Sequence, residues 1–324
     1  MRIYLSTPSY VVVSEFHSRF PDYPIYVLRS FGRPNADNAD FFSNRNGCVS
    51  GLILDSGTWT LNNSATNNGI NITREGYADY LRRFGQFFEF YFNYDSNHQP
   101  EGFSENIEHQ TQLEKRGFNP VPVIHDIYGE EVDYYIKMDY KTIAIGSYQN
   151  PTPSELKELV SKLNRYGVSV HLFGCTRYKY LSVCPVFSSD SSSWTQSGSH
   201  GVMLFWNKDN HDEDKTDKIL LKDYVNQNKK GGIPIEDYNF GDSFKQYLHD
   251  TFRFSLNDLY GLKMYHNRAL VNIYYFAEMQ ARITKIHQTI NDRSINDDKL
   301  AHSQARIGAP ERNVSPTAPG KSRL

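Results

Sequence analysis

Two aspartates stand where a carboxylate can meet a ligand. Asp55 closes the apolar run Gly51-Leu52-Ile53-Leu54 and is followed by Ser56 and Gly57. A tight turn there leaves its carboxylate free at a strand end. Asp190 stands in Phe187-Ser188-Ser189-Asp190-Ser191-Ser192-Ser193-Trp194, where neighbouring hydroxyls can hold a carboxylate and keep it ionised. Each also has an ordinary reading: a turn or helix-capping Asp at 55, a flexible loop at 190. As a pair they suggest chemistry at the anomeric carbon of a sugar. Displacing a substituent there by a retaining route needs one carboxylate as nucleophile and a second carboxyl group to manage the proton.

The elements that must position this pair follow from hydrophobic patterning. Short apolar runs of buried-strand type occur at Arg2–Ser6, Gly51–Leu54, Phe87–Phe92, Val121–Ile124, Thr142–Ile145, Val168–Leu172, Val186–Phe187 and Val202–Trp206. Helical patterns lie between several of them. The clearest is Thr152-Pro153-Ser154-Glu155, an N-cap, a first-turn proline and a capping-box glutamate, followed by apolar spacing at Leu156, Leu159, Val160 and Leu163 and a stop at Gly167. The spacing predicts an α/β fold, specifically a (β/α)8 TIM-like barrel. An open dinucleotide-binding sheet would carry G-x-G-x-x-G after its first strand, and this chain does not. In a barrel the C-terminal strand ends converge on one mouth, which would gather Asp55, Asp95, His125, Gly146 and Asp190. Segments Phe244–Phe254 and Leu262–Ile290 read as flanking helices. The barrel with these helices is expected to span 1–290, and the polar, proline-containing stretch 291–324 to be a disordered tail.

Composition narrows the function classes. A formal net charge of -2 argues against a generally basic nucleic-acid binder, so any polymer contact must come from local patches. Three cysteines without a C-x-x-C pair speak against a disulfide framework and against a structural zinc site. No apolar run reaches membrane-spanning length and no signal-peptide pattern opens the chain, so a cytoplasmic protein is expected.

At motif level, from about Gly51 to Trp194, the chain resembles the tRNA-guanine transglycosylases and their DNA-acting relatives in phages and bacterial 7-deazaguanine modification systems. Asp55-Ser56-Gly57 resembles the family's Asp-Ser-Gly, whose aspartate is the general acid/base. Asp95, ending Asn93-Tyr94-Asp95, resembles the aspartate that reads the guanine edge. His125 falls where the tRNA enzymes place a base-binding Gln. Gly146, in Ala144-Ile145-Gly146-Ser147, is similar to the Gly whose backbone contacts the base. Phe173, in His171-Leu172-Phe173-Gly174, is similar to the apolar wall under the base, and Asp190 to the nucleophile. Asp95 also reads as a surface turn, and His125 as a core histidine.

The resemblance implies exchange of guanine for a free 7-deazaguanine base through a covalent Asp-sugar intermediate, without a cofactor. The family's zinc-binding Cys cluster is missing, so no metal is expected, and the base-reading Gln is replaced. Both departures favour DNA over tRNA as the polymer. Arg177-Tyr178-Lys179-Tyr180 offers cations and stacking faces for the nucleic acid, or else a solvated helix start; Lys229-Lys230 is a second basic patch. The same chemistry on tRNA, a barrel glycoside hydrolase, and a non-catalytic nucleic-acid-binding barrel stay open, as does a homodimer or an accessory subunit.

Overall fold

The computed structural model describes residues 1–33, 38–43, 45–61, 72–146, 149–208, 210–227 and 231–307. The chain divides into a unit Met1–Thr284 and a shorter unit Lys285–Leu324. The first unit is built on eight parallel strands: β1 Arg2–Ser6, β2 Tyr26–Ser30, β3 Gly51–Asp55, β4 Phe90–Tyr91, β5 Val123–Ile124, β6 Thr142–Ile145, β7 Ser169–Leu172 and β8 Ser188–Ser191. They pair in the order β4-β3-β2-β1-β8-β7-β6-β5. The outer members meet through a parallel bridge between Phe92 and Val121, where the Val121 N–H donates to the Tyr91 carbonyl at 2.8 Å and the Asn93 N–H to the Val121 carbonyl at 2.9 Å. The circuit closes as a (β/α)8 TIM-like barrel.

The crossover helices form for local reasons. In the helix Pro153–Arg165, Thr152 accepts from the Glu155 N–H while Glu155 accepts from the Thr152 backbone, and the chain leaves through Gly167 at φ +75°. Leu156, Val160 and Leu163 are buried on one face. The helix Arg74–Phe84 starts the same way, with the Thr73 side chain accepting from the Gly76 N–H. Strand alternation then sorts two apolar shells. Leu5, Val27, Leu54, Ile124, Ile145 and Leu172 face the helices. Tyr4, Leu28, Ile53, Phe92, Val123 and Ala144 form a separate cluster inside the barrel.

Two strand expectations need correction. Val202–Trp206 lies outside the barrel: it pairs antiparallel with Thr216–Leu220 in a three-stranded sheet completed by Ile233–Pro234. Its place in the barrel is taken by β2, which the apolar pattern did not single out. Also, the strand expected to end at Phe187 is instead Ser188–Ser191, so Asp190 lies within a strand. Late helices run Gly241–Phe252 and Met264–Ile307, so the expected boundary at 290 falls inside the second. Residues 308–324, Lys229 and Lys230 lie outside the described residues. Among the described residues no helix is long and apolar enough to cross a membrane.

Candidate active site

Period two carries each barrel-lining residue to a partner at the mouth. Two positions beyond Tyr4, Leu28, Ile53, Val123 and Ala144 come Ser6, Ser30, Asp55, His125 and Gly146; two beyond His171 and Ser188 come Phe173 and Asp190. The serines matter because each holds the aspartate of a neighbouring strand. Ser30 Oγ, level with Asp55 in the β2–β3 register, donates to Asp55 Oδ2 at 3.0 Å, and the Gly57 N–H donates to the same oxygen at 3.1 Å. Ser6 Oγ on β1 donates to Asp190 Oδ2 at 2.8 Å, while the Gly174 N–H donates to Oδ1 at 2.8 Å. His171 is fully buried under Asp190. Its Nδ1 pairs with Ser188 Oγ at 2.8 Å, and its Nε2 lies 3.6 Å from Asp190 Oδ1.

The Asp-Ser-Gly turn needs its glycine. Gly57 has φ +81°, and a Cβ there would sit 2.4 Å from the Gly32 Cα on the adjacent β2 turn. Ser56, wholly buried, turns away from Asp55 toward Asp95 and donates to its Oδ1 at 3.3 Å; Thr58 Oγ1 donates to the same oxygen at 2.9 Å. Asp95 Oδ2 meets His125 Nε2 at 3.0 Å and lies 3.9 Å from His98 Nε2. The two imidazole rings stack, with centroids 4.9 Å apart and planes inclined by 20°. One donor atom from each of Asp95, His98 and His125 lies within 4.8 Å of the others, so this trio has the reach to hold a cation.

Burial sets the proton affinities. Desolvation, followed by the charges of Asp95 and Asp190, pushes Asp55 up to about 7 against the donors Ser30 and Gly57. Burial also works to raise Asp95, but the hydrogen bond and charge of His125, the charge of His98 and the Thr58 hydroxyl bring it below the ordinary carboxylate value. Burial pulls His125 down; Asp95 outweighs it and leaves the imidazole raised. His98 is lowered by burial, which Asp95 only partly offsets. His125 Nδ1 lacks a well-formed hydrogen bond, although the Gly146 backbone is near enough to favour the protonated ring.

Gly146 sits where there is little room for a side chain. A Cβ there would stand 3.2 Å from Val123 Cγ1, 3.4 Å from His125 Cε1 and 3.5 Å from Phe173 Cδ2. Phe173 packs on Phe92 at 4.4 Å between centroids and on His171 at 4.9 Å, which sets an apolar ring beside Gly146. The mouth therefore gathers Asp55, Ser56, Gly57, Asp95, His125, Gly146, Phe173 and Asp190, while Ser147 lies outside the described residues. The segment Arg177–Tyr180 is engaged within the chain. Arg177 donates to Asp214 Oδ2 at 2.8 Å and Lys179 Nζ lies 3.9 Å from Glu213. Tyr178 packs on Trp206, and the Tyr180 hydroxyl donates to the Pro151 carbonyl. Pattern reading did not single out Ser6, Ser30, Thr58 or His98. Period two from the barrel-lining residues finds both serines; His98, on an irregular loop, has no such signal.

No protein-family model matches the chain, and no curated protein matches it. Among solved structures it is similar to a chain described as "Native KDPGal structure", with a TM-score of 0.38 and 11% identity over 60% of this chain and 82% of that one. It is also similar to a cube-shaped, highly porous protein cage designed by fusing symmetric oligomeric domains, with a TM-score of 0.39 and 9% identity over 95% of this chain and 85% of that one. Neither likeness bears on what the chain does.

Proposed function

We propose that the protein is a base-exchange transglycosylase that replaces guanine in DNA with a 7-deazaguanine derivative. The observation that carries this reading is the pair of carboxyl groups held in different environments at one barrel mouth. Asp55 has a proton affinity near neutrality, and Asp190 is oriented by two donors on other segments. Differing environments of this kind are what an acid and a nucleophile each need, which supports the reading.

The nucleotide must be flipped out of the duplex to reach the mouth. Trp59, 54% exposed and four residues beyond Asp55, offers a face on which a base can stack. The flipped guanine lies at the mouth beside the Gly146 backbone and Phe173. One N–H of its edge turns to Asp95. A carboxylate has about four acceptor sites, and three are used by Ser56, Thr58 and His125. An Asp190 oxygen attacks the anomeric carbon. The bond from that carbon to guanine breaks, its electron pair leaves with the base, and Asp55 gives the base its proton. This leaves an ester between Asp190 and the sugar. A 7-deazaguanine then attacks the same carbon and the ester bond breaks, returning its electron pair to Asp190. Asp55 takes the proton of the incoming base. The backbone stays intact, and no cofactor is consumed.

The test offers purified protein labelled guanine or a labelled 7-deazaguanine together with DNA or with tRNA, and repeats each arm with Asp190→Ala. Incorporation into DNA that vanishes in the variant is the expected result. Incorporation into tRNA alone keeps the chemistry and changes the polymer. A folded protein that labels neither polymer with either base refutes the reading.

A further inference from the structure

We propose that Asp95, His98 and His125 form a site for a first-row divalent transition metal, and that metal and base compete for it. The three donor atoms already converge within 4.8 Å, and bonds of about 2.0–2.2 Å to one tetrahedral metal would close them to about 3.4 Å from one another. The carboxylate is set for one-oxygen ligation: Ser56 and Thr58 fix Oδ1, and Oδ2 is turned to both imidazoles. Both Nε2 atoms lie near that oxygen, at 3.0 Å for His125 and 3.9 Å for His98.

The supports of the trio are equally defined. The His125 backbone N–H donates to Glu131 Oε2 at 2.7 Å. The loop bearing His98 is pinned by Asn106 Nδ2 donating to the Asn97 carbonyl at 2.7 Å and by Ser96 Oγ donating to Glu105 at 2.7 Å. Two imidazoles and one carboxylate suit zinc, cobalt, nickel or iron rather than calcium or magnesium, whose ligands are oxygens. Three protein ligands leave a coordination position for water or an added ligand. The cation would take the place of the proton shared by Asp95 and His125.

Metal binding at this trio stands independently of any reaction. The competition rests on the base-exchange reading, because the base would also use Asp95.

Untagged full-length protein, stripped with a chelator, is titrated with Co²⁺ and then Zn²⁺. One equivalent of Co²⁺ is expected to remain after desalting, to show ligand-field absorption, and to be displaced by Zn²⁺. Asp95→Asn and His98→Ala are each expected to weaken binding by at least about tenfold with an unchanged circular-dichroism spectrum. His98 lies on a loop outside the barrel strands, so its variant decides the matter if Asp95→Asn fails to fold. No retained metal, or a His98→Ala variant that binds as the wild type does, overturns the site. One equivalent of Zn²⁺ is also expected to weaken guanine binding, measured by calorimetry, in the wild type and not in His98→Ala. Metal bound without any affinity for guanine leaves the site standing and removes the base-exchange reading; guanine bound without metal does the reverse. Both bound without mutual effect overturns the competition.

Discussion

Replacing Asp55 by Asn should stabilise the protein, and by an amount that depends on pH in a defined way. Burial and the charges of Asp95 and Asp190 raise Asp55 from an ordinary 3.8 to about 7. Each tenfold change in proton affinity is worth about 1.4 kcal/mol. Ionising Asp55 in the folded protein therefore costs about 4 kcal/mol more than in the unfolded chain. The sign follows from proton counting. Below the unfolded value both states hold the proton, and the site costs nothing. Between 3.8 and 7 the folded state holds a proton that the unfolded chain has released, so stability falls as pH rises. Above 7 both states are ionised and the full penalty stands. Asparagine carries no ionisable proton, and its oxygen can still accept from Ser30 Oγ and the Gly57 N–H. The Asp55→Asn variant should match the wild type near pH 4, gain on it through neutrality, and level off near pH 8 at about 4 kcal/mol, discounted by whatever relaxation the mouth allows. Urea unfolding at a series of pH values measures this directly. A difference that does not change with pH, or a variant that loses stability toward alkaline pH, would refute the account of Asp55.

Three further outcomes follow from the same geometry. If Asp55 delivers the proton to the leaving base, the rate at which the Asp190-sugar ester forms should fall as pH rises through about 7, while capture of the ester by the incoming base should rise; rapid-quench kinetics of the two half-reactions separates them. Ser6→Ala removes a hydrogen bond to the Asp190 carboxylate worth about 1.5–3 kcal/mol, so kcat should drop roughly tenfold or more with little change in KM, which steady-state kinetics reads. If the base lies beside Gly146, Gly146→Ala sets a methyl group against Val123, His125 and Phe173 where the base would pack, and KM for the free base should rise roughly tenfold or more while the folded spectrum is kept.

The sequence made the barrel legible where its strands are apolar and its helices capped. Leu54-Asp55, Ile124-His125 and Ile145-Gly146 each end an apolar run on a residue that reaches the mouth. It was misleading where burial and hydrophobicity part company. β8 reads Ser-Ser-Asp-Ser, yet all four residues are buried. They are satisfied by hydrogen bonds instead of apolar contacts: Ser188 with His171, Ser189 with the Leu172 and Cys175 carbonyls, and Asp190 with Ser6 and Gly174. A periodicity scan finds no strand there. β2 hides for a related reason, since Arg29 interrupts its apolar run. That side chain is 1% exposed because it donates to Asn38 and to the Pro8 carbonyl. Val202–Trp206 errs the other way: an apolar run announces burial without saying which sheet it joins.

Under the proposed mechanism, the placement of Asp95 ties recognition to proton transfer. Its charge is the second largest cause of the raised proton affinity of Asp55, after burial itself. A donor or cation brought to Asp95 offsets that charge and makes Asp55 a weaker base. Under the proposed mechanism the effect has a direction. A guanine N–H turned to Asp95 weakens the hold of Asp55 on its proton as the base is about to leave. Once the guanine is gone, the full charge of Asp95 is restored, and Asp55 regains affinity for a proton before the next base arrives. Under this mechanism the acid strength of Asp55 on β3 changes with what engages Asp95 on the loop after β4, with no movement of the strand that carries Asp55.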